Sequence, residues 1–419
     1  MSDGKDEHLT AMISVPTSNH ACKVFAMNPI TFTVTPLGQQ QALMINVTDL
    51  LACFQTVPDQ RKRRGVRYPL AVLLTIAVLA KLSGQSQIHA LAGWASARTL
   101  ELATLFDLPR ARMPHPTTWA RVLGYGATAT AVEAALQPLL TPPLPEVPLR
   151  ASRHVALDGK TLRGTVTATT RGVHLLSAYH VAQGTTLRQI AVGAKANELA
   201  VAPQLLAHLD LTGTLVTGDA MFTHRSMSTQ IVEAGGDYCW IVKENQPTLY
   251  DDLRLLFGSQ PVALPGTSPI PDDFVTIRTV EKAHGRLDER ELTISSLLAA
   301  YHPWPYLAQA FQVIRISQRG HRRSREVRYG ITSVPATVAS ATQVLAWVRG
   351  HWQIENGLHY RRDVTLAEDA SLTRIGQAPQ VLATLNNFVC SLTAQAGVSN
   401  LAAMQRSMAA TFDRWLFGR

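Results

Sequence analysis

His154-Val155-Ala156-Leu157-Asp158-Gly159-Lys160 is the stretch on which the fold turns. An apolar run that ends in an acid and a glycine reads as a buried central strand whose next residue enters a polar crevice. Leu215-Val216-Thr217-Gly218-Asp219 repeats the arrangement farther along the chain. Around these two runs strand-like and helix-like segments alternate: strands at 154–157, 173–181, 188–192, 215–217 and 238–242, with helices at 197–209 and 224–234. The pattern predicts an α/β core. Two strand-end aspartates can share a divalent cation, although either one taken singly is more readily explained as a helix N-cap or turn residue.

Toward the N-terminus, residues 1–45 mix Pro, Ser, Thr, Asn and Gln without a sustained period and read as a loosely ordered leader, with one short strand near Phe32 to Thr35. A small all-α module is expected over 46–140, where Pro69 opens an apolar helix through Leu82 and Pro116-Thr117-Thr118-Trp119 opens another. Trp94 and Trp119 are expected to pack in that bundle. The basic tetrad Arg61-Lys62-Arg63-Arg64 beside a helix start is a candidate phosphate contact and also reads as a solvated charge run. The proline-rich 141–150 is a stiff connector, since proline fixes φ and removes amide donors. The core is assigned to 151–395, with a β-rich insertion over about 270–335, and a helical tail to 396–419. His284-Gly285-Arg286 in the insertion reads as a turn or as a DNA contact.

The 419 residues exceed one ordinary domain, and 46% hydrophobic against 16% charged residues supplies a substantial core. A formal charge of +9 favours a polyanionic partner, because each phosphate contacted releases condensed counterions. Cys22, Cys53, Cys239 and Cys390 are scattered, which argues against a zinc knuckle or a disulfide framework and fits a reducing cytoplasm. No apolar run is long enough to span a bilayer, and no signal-peptide pattern opens the chain.

A third acid is offered by Arg349-Gly350-His351-Trp352-Gln353-Ile354-Glu355-Asn356. On a helix, His351, Glu355, His359 and Arg362 fall on or near one stripe. An exposed salt-bridged face would look similar, but Trp347, Trp352 and Ile354 indicate close packing. A His-x3-Glu-x3-His metal helix also fits this stripe and leaves Asp158 and Asp219 unexplained.

With these blocks in place, the chain resembles the ISAs1-type insertion-sequence transposases, relatives of the IS4 group that include the H-repeat-associated proteins. The resemblance covers most of residues 47–392. It is carried by Arg64-Gly-Val-Arg-Tyr-Pro-Leu70, Leu157-Asp-Gly-Lys-Thr-Leu-Arg-Gly164, Lys195-Ala-Asn-Glu198, Gly218-Asp219-Ala220, Val242-Lys-Glu-Asn-Gln246 and His351-Trp-Gln-Ile-Glu-Asn-Gly-Leu-His359, followed by Asp363-Val364 and Glu368-Asp369. It implies a DDE triad on an RNase H-like fold, with Asp158, Asp219 and Glu355 as catalytic and metal-binding residues. Related enzymes carry Tyr-x2-Arg-x3-Glu-x6-Lys around the glutamate; those offsets give Val348, His351, Glu355 and Arg362 here, a partial match in which Arg362 would hold a phosphate.

Three acids suit hard Mg²⁺, with Mn²⁺ able to substitute, and two ions about 4 Å apart would activate water or a 3′-hydroxyl and stabilise the departing oxygen. Lys160, Arg163, Lys243 and Arg362 are the candidates for holding the DNA backbone, with His351 and the tetrad beside them. Asn197-Glu198 and Asn245-Gln246 read as helix caps in preference to DNA contacts. The expected partners are double-stranded DNA, at transposon ends and target, and a second copy in a synaptic homodimer; the expected location is the bacterial cytoplasm, associated with the nucleoid. An RNase H-fold endonuclease without strand transfer, or a domesticated non-catalytic DNA-binding relic, would share much of this sequence.

Overall fold

A computed structural model of the chain describes residues 31–34, 43–64, 66–140, 150–193, 196–258, 273–283 and 285–417. Most of the expected leader, the connector at 141–149, Lys195 and His284 lie outside them.

A short antiparallel pair, β1 (Thr31–Val34) and β2 (Leu43–Asn46), leads into six helices: α1 (Val47–Gln55), α2 (Leu70–Leu82), α3 (Ile88–Ala97), α4 (Thr99–Leu105), α5 (Pro116–Tyr125) and α6 (Ala129–Leu136). Asn46 starts α1 because its side-chain oxygen accepts the Thr48 and Asp49 amides, and Pro116 occupies the first turn of α5, where no donor is needed. Every residue of α2 is buried, Lys81 included. A helix apolar all round must lie inside a bundle.

The partners of α2 come from both ends of the chain. The last two helices are α11 (Ala378–Gln395) and α12 (Leu401–Phe417); Trp94 of α3 meets Phe412 of α12 edge-on at 4.8 Å, and Arg98 pairs with Asp413 at 2.7 Å. Gln405 of α12 donates to the Lys81 carbonyl at 2.8 Å. One apolar core thus draws on α1–α6 and on residues beyond Ile354. The helical module expected at 46–140 and the tail expected at 396–419 are joined in this layer, and Trp94 and Trp119 are buried in it.

The second layer is a nine-stranded sheet in the order β5-β4-β3-β6-β7-β11-β10-β9-β8. Its strands are β3 (Arg153–Leu162), β4 (Val173–His180), β5 (Thr185–Val192), β6 (Thr214–Gly218), β7 (Asp237–Val242), β8 (Val275–Ala283), β9 (Arg286–Ser295), β10 (Gln309–Arg319) and β11 (Arg322–Thr332). Pairing is parallel across β3–β6–β7 and antiparallel elsewhere. Helices α7 (Glu198–Leu206), α8 (Arg225–Glu233) and α9 (Pro247–Gly258) cover one face, and α10 (Ala341–His351) the other. The β-rich segment expected as an insertion is therefore a continuation of the central sheet, hydrogen-bonded to it through β11 and β7. Gly330 permits that junction: a Cβ there would stand 2.1 Å from Phe311 Cζ and 2.5 Å from the Trp240 carbonyl oxygen. Among the described residues no helix is long and apolar enough to cross a membrane.

The seam between α6 and β5 buries Glu133. Burial pushes its carboxyl up to about 8 against the pull of Arg188. Although the two side chains approach to 3.3 Å, Glu133 Oε2 makes no hydrogen bond, and desolvation outweighs the attraction. A folded-state pKa above the unfolded one stabilises the fold fully below about 4.5, and that contribution is lost as pH rises through about 8. Glu133→Gln is expected to flatten this decline. Denaturant unfolding at pH 5 and pH 8 should show the wild type losing roughly 2–4 kcal/mol more than the variant, at about 1.4 kcal/mol per pKa unit; parallel curves would mean that Glu133 stays ionised.

Candidate active site

The parallel register pairs Leu157 with Gly218, so Asp158 and Asp219 occupy the next positions along neighbouring segments at the point where β6 ends. Asp219 leaves its strand, as expected, and its carboxylate accepts the Ala220 amide at 2.7 Å. Asp158 differs from the expectation. It is not at a strand end, because β3 continues to Leu162 paired only with β4, where Asp158 faces Ser177. The crevice arises because the neighbouring strand stops. Gly218 closes tightly on the ensuing turn, its missing Cβ leaving room for Phe222.

Glu355 arrives from the other direction. After α10 the chain continues through two π-helical stretches, Glu355–His359 and Arg361–Thr365, in place of the uninterrupted α-helix expected. Such widened turns recur at functional sites because they re-aim side chains. Asp158, Asp219 and Glu355 line a single cavity, together with Thr217, Cys239, Lys243, Arg328, His351 and Trp352.

Contacts within the site set the direction of each acid. Asp158 Oδ1 accepts the Gly159 amide at 2.9 Å and its Oδ2 lies 3.3 Å from His359 Nδ1. Lys243 Nζ stands 3.3 Å from Asp219 Oδ1. Asn245 and Gln246, expected as caps, instead donate to the Ala220 and Thr223 carbonyls at 2.8 and 2.9 Å and pin the turn that carries Asp219. Asn197 does cap α7, accepting the Ala200 amide at 2.9 Å. Behind the cavity, His154 Nε2 lies 2.8 Å from Thr217 Oγ1, which lies 3.2 Å from His351 Nδ1. Burial drives the His154 imidazole down to about 3 and also lowers His351, which Asp158 and Asp219 pull partly back up.

The other candidate cations divide. Lys243 is exposed beside Asp219 and Arg163 is open to solvent at the end of β3, whereas Lys160 is buried against Asp363 and Asp369. Arg362 is fully buried, gripping Glu368 Oε2 at 2.8 Å through Nε and donating from Nη1 to Gln189 and Asn387, each at 3.1 Å. It is a structural cation here, and the phosphate contact expected of it is not available in this arrangement. In the tetrad, Arg61 is tied to Asp59 and the Tyr68 carbonyl, while Lys62, Arg63 and Arg64 are exposed. Arg328 and Thr217 join the site without having been singled out, and His359, expected only on the stripe or as a ligand of a separate metal helix, joins it beside Asp158. His359 was visible as the next residue of the stripe; Arg328 sits on a strand whose local sequence gives no sign of it.

Family models match two successive parts of the chain: "DDE_Tnp_1-associated" over residues 51–137 and "Transposase DDE domain" over residues 150–386. The chain belongs to the DDE transposases. Similar proteins include "Putative transposase YncI" of Escherichia coli O157:H7, 27% identical over 358 residues, 83% of this chain and 88% of that one. "H repeat-associated putative transposase YhhI" of Escherichia coli K12 is 28% identical over 271 residues, 62% of this chain and 69% of that one. A piggyBac transposase chain from a synaptic complex with hairpin DNA superposes at a TM-score of 0.42 with 10% identity, covering 89% of this chain and 78% of that one, too remote to bear on the site. This DDE transposase is an enzyme of the IS4-related, insertion-sequence kind that acts on DNA, and its family depends on divalent metal. Among the described residues no three acidic, histidine or cysteine side chains are drawn close enough to enclose an ion. The donor set is nonetheless of the right kind, since neighbouring carboxylates at the end of β6 present the hard oxygens that such ions take.

Proposed function

We propose that this transposase cleaves the ends of its element and joins them to target DNA at the cavity lined by Asp158, Asp219 and Glu355. The observation that carries the proposal is the convergence on one cavity of three carboxylates from segments far apart in sequence. An RNase H-like reading of the core is supported by the run β5-β4-β3-β6-β7, in which an antiparallel meander is followed by two strands parallel to its first. Asp158, Asp219 and Glu355 would hold the metal, Mg²⁺ with Mn²⁺ as a substitute. When bound, the metal supplies Lewis-acid activation of the attacking oxygen and charge stabilisation of the departing one.

The protein's own part is orientation. His359 and the Gly159 amide fix the Asp158 carboxylate, and the pinned turn fixes Asp219. Lys243, exposed at the rim, is placed to meet a phosphate, and Arg163, Lys62, Arg63 and Arg64 are the remaining open cations for DNA beyond the cavity. Water as nucleophile frees an element end, and the liberated 3′-hydroxyl then attacks target DNA, so one site serves both steps. Pairing two ends requires two copies of the chain, acting in the bacterial cytoplasm on nucleoid DNA.

The test is a joining assay. Purified protein, Mg²⁺ and a labelled pre-cleaved duplex carrying the element's terminus should yield a covalently joined target strand. Hydrolysis without joining would make the protein an endonuclease, and no reaction at either bond would remove the catalytic reading.

A further inference from the structure

β10 and β11 meet in a two-residue turn, Gly320-His321, with Gly320 at φ +58° and Arg319 paired to Arg322. Residues directly opposite in an antiparallel pair share a face, and the face alternates along each strand. Arg319 and Arg322 therefore project on the same side as the pairs Ser317–Ser324, Arg315–Glu326 and Val313–Arg328, whereas Arg323 and Arg325 project on the opposite side. The first side is the one that α10 covers, through Phe311 and Val313. Arg328 on that side lines the cavity with the three acids. A continuous strip thus connects the cavity with the hairpin tip.

The strip is cationic after its acids are counted. Glu326 is matched by Arg328 at 2.8 Å. Asp288 is held by Arg286, Arg290 and Arg315, and Glu281 by Arg290 and Arg349. Arg319 and Arg322 are exposed, and among the described residues no carboxylate lies within ion-pair range of either.

We propose that this side of the hairpin is a track for duplex DNA flanking the phosphate held at the cavity, with Arg319 and Arg322 neutralising its backbone. The proposal rests on reading the cavity as a DNA-processing site. From Arg328 to Arg322 the strand advances about 20 Å at about 3.4 Å per residue, the rise of about six base pairs. An acidic peptide could pair with the tip alone, but a stiff polyanion bound at the cavity would extend along the strip at that length.

The test compares two double variants by the salt dependence of binding to a random-sequence duplex about 40 base pairs long, each lost phosphate contact lowering the log–log slope by about 0.9. R319A/R322A is expected to reduce the slope by about 1.8 and R323A/R325A to leave it at the wild-type value. Unchanged thermal melting in both checks that the exposed tip has not disturbed the fold. Equal slopes in all three proteins, or a reduction as large in R323A/R325A, overturns the track while leaving the cavity reading intact. Absence of salt-dependent DNA binding by the wild type overturns both.

Discussion

Asp219→Asn is expected to lower end cleavage and strand joining by about a thousandfold or more, several kcal/mol of barrier at about 1.4 kcal/mol per decade, while leaving melting unchanged within a few degrees. The reason lies in the two jobs of one carboxylate. Its Oδ1 accepts the Ala220 amide and starts the turn after β6, which an asparagine oxygen can also do. The second job needs negative charge beside Asp158, which asparagine lacks. The isosteric change therefore separates folding from chemistry. Glu355→Gln should behave alike, since Glu355 is exposed at the cavity. Cleavage rates within tenfold of wild type for either variant, measured on a labelled terminal duplex with Mg²⁺, would remove these acids from the reaction.

Arg362→Ala should unfold the protein more readily by about 3–5 kcal/mol, the usual cost of stranding one member of a buried ion pair. Glu368 would lose its only cationic contacts at 2.7 and 2.8 Å among those described, while its Oε1 still accepts from Asn386 at 2.8 Å. Asn386 in turn accepts from the buried Lys81 ammonium at 2.7 Å, so the damage reaches α2. Adding Glu368→Gln should recover part of the loss, because the stranded charge is gone while the acceptor for Asn386 remains. Urea unfolding gives the answer. A change below about 1 kcal/mol, with a weakened salt dependence of DNA binding instead, would return Arg362 to the role of a phosphate contact.

These two residues also mark how far the sequence can be read. Asp158 and Asp219 stood out because each terminates an apolar run, and Glu355 because its helix carries polar residues in a stripe among tryptophans. What no run or period conveys is which neighbour stops first. Asp158 is exposed to the crevice because β6 ends beside it, a property of pairing and not of its own segment. Arg362 looks like any helical surface cation until α11 and β5 close over it with Asn387 and Gln189. The stretch over about 270–335 was legible as β-rich, yet its membership of the central sheet depends on β11 meeting β7 across the intervening α9, β8, β9 and β10. Arg328 and Thr217 reach the cavity through the same long-range pairings, which is why neither stood out.

The all-buried helix α2 has a consequence for the life of the gene. Lys81 and the Gln405 that covers its carbonyl are 324 positions apart, so at about 5–20 residues per second a ribosome needs roughly 16–65 s to deliver the covering helix. Throughout that interval the part of α2 that α11 and α12 cover waits unshielded, with only its N-terminal neighbours packed against it. A frameshift or premature stop late in the reading frame would thus leave a product that aggregates or is degraded, and decay of such an element would silence the enzyme outright without leaving a folded fragment to compete for its ends.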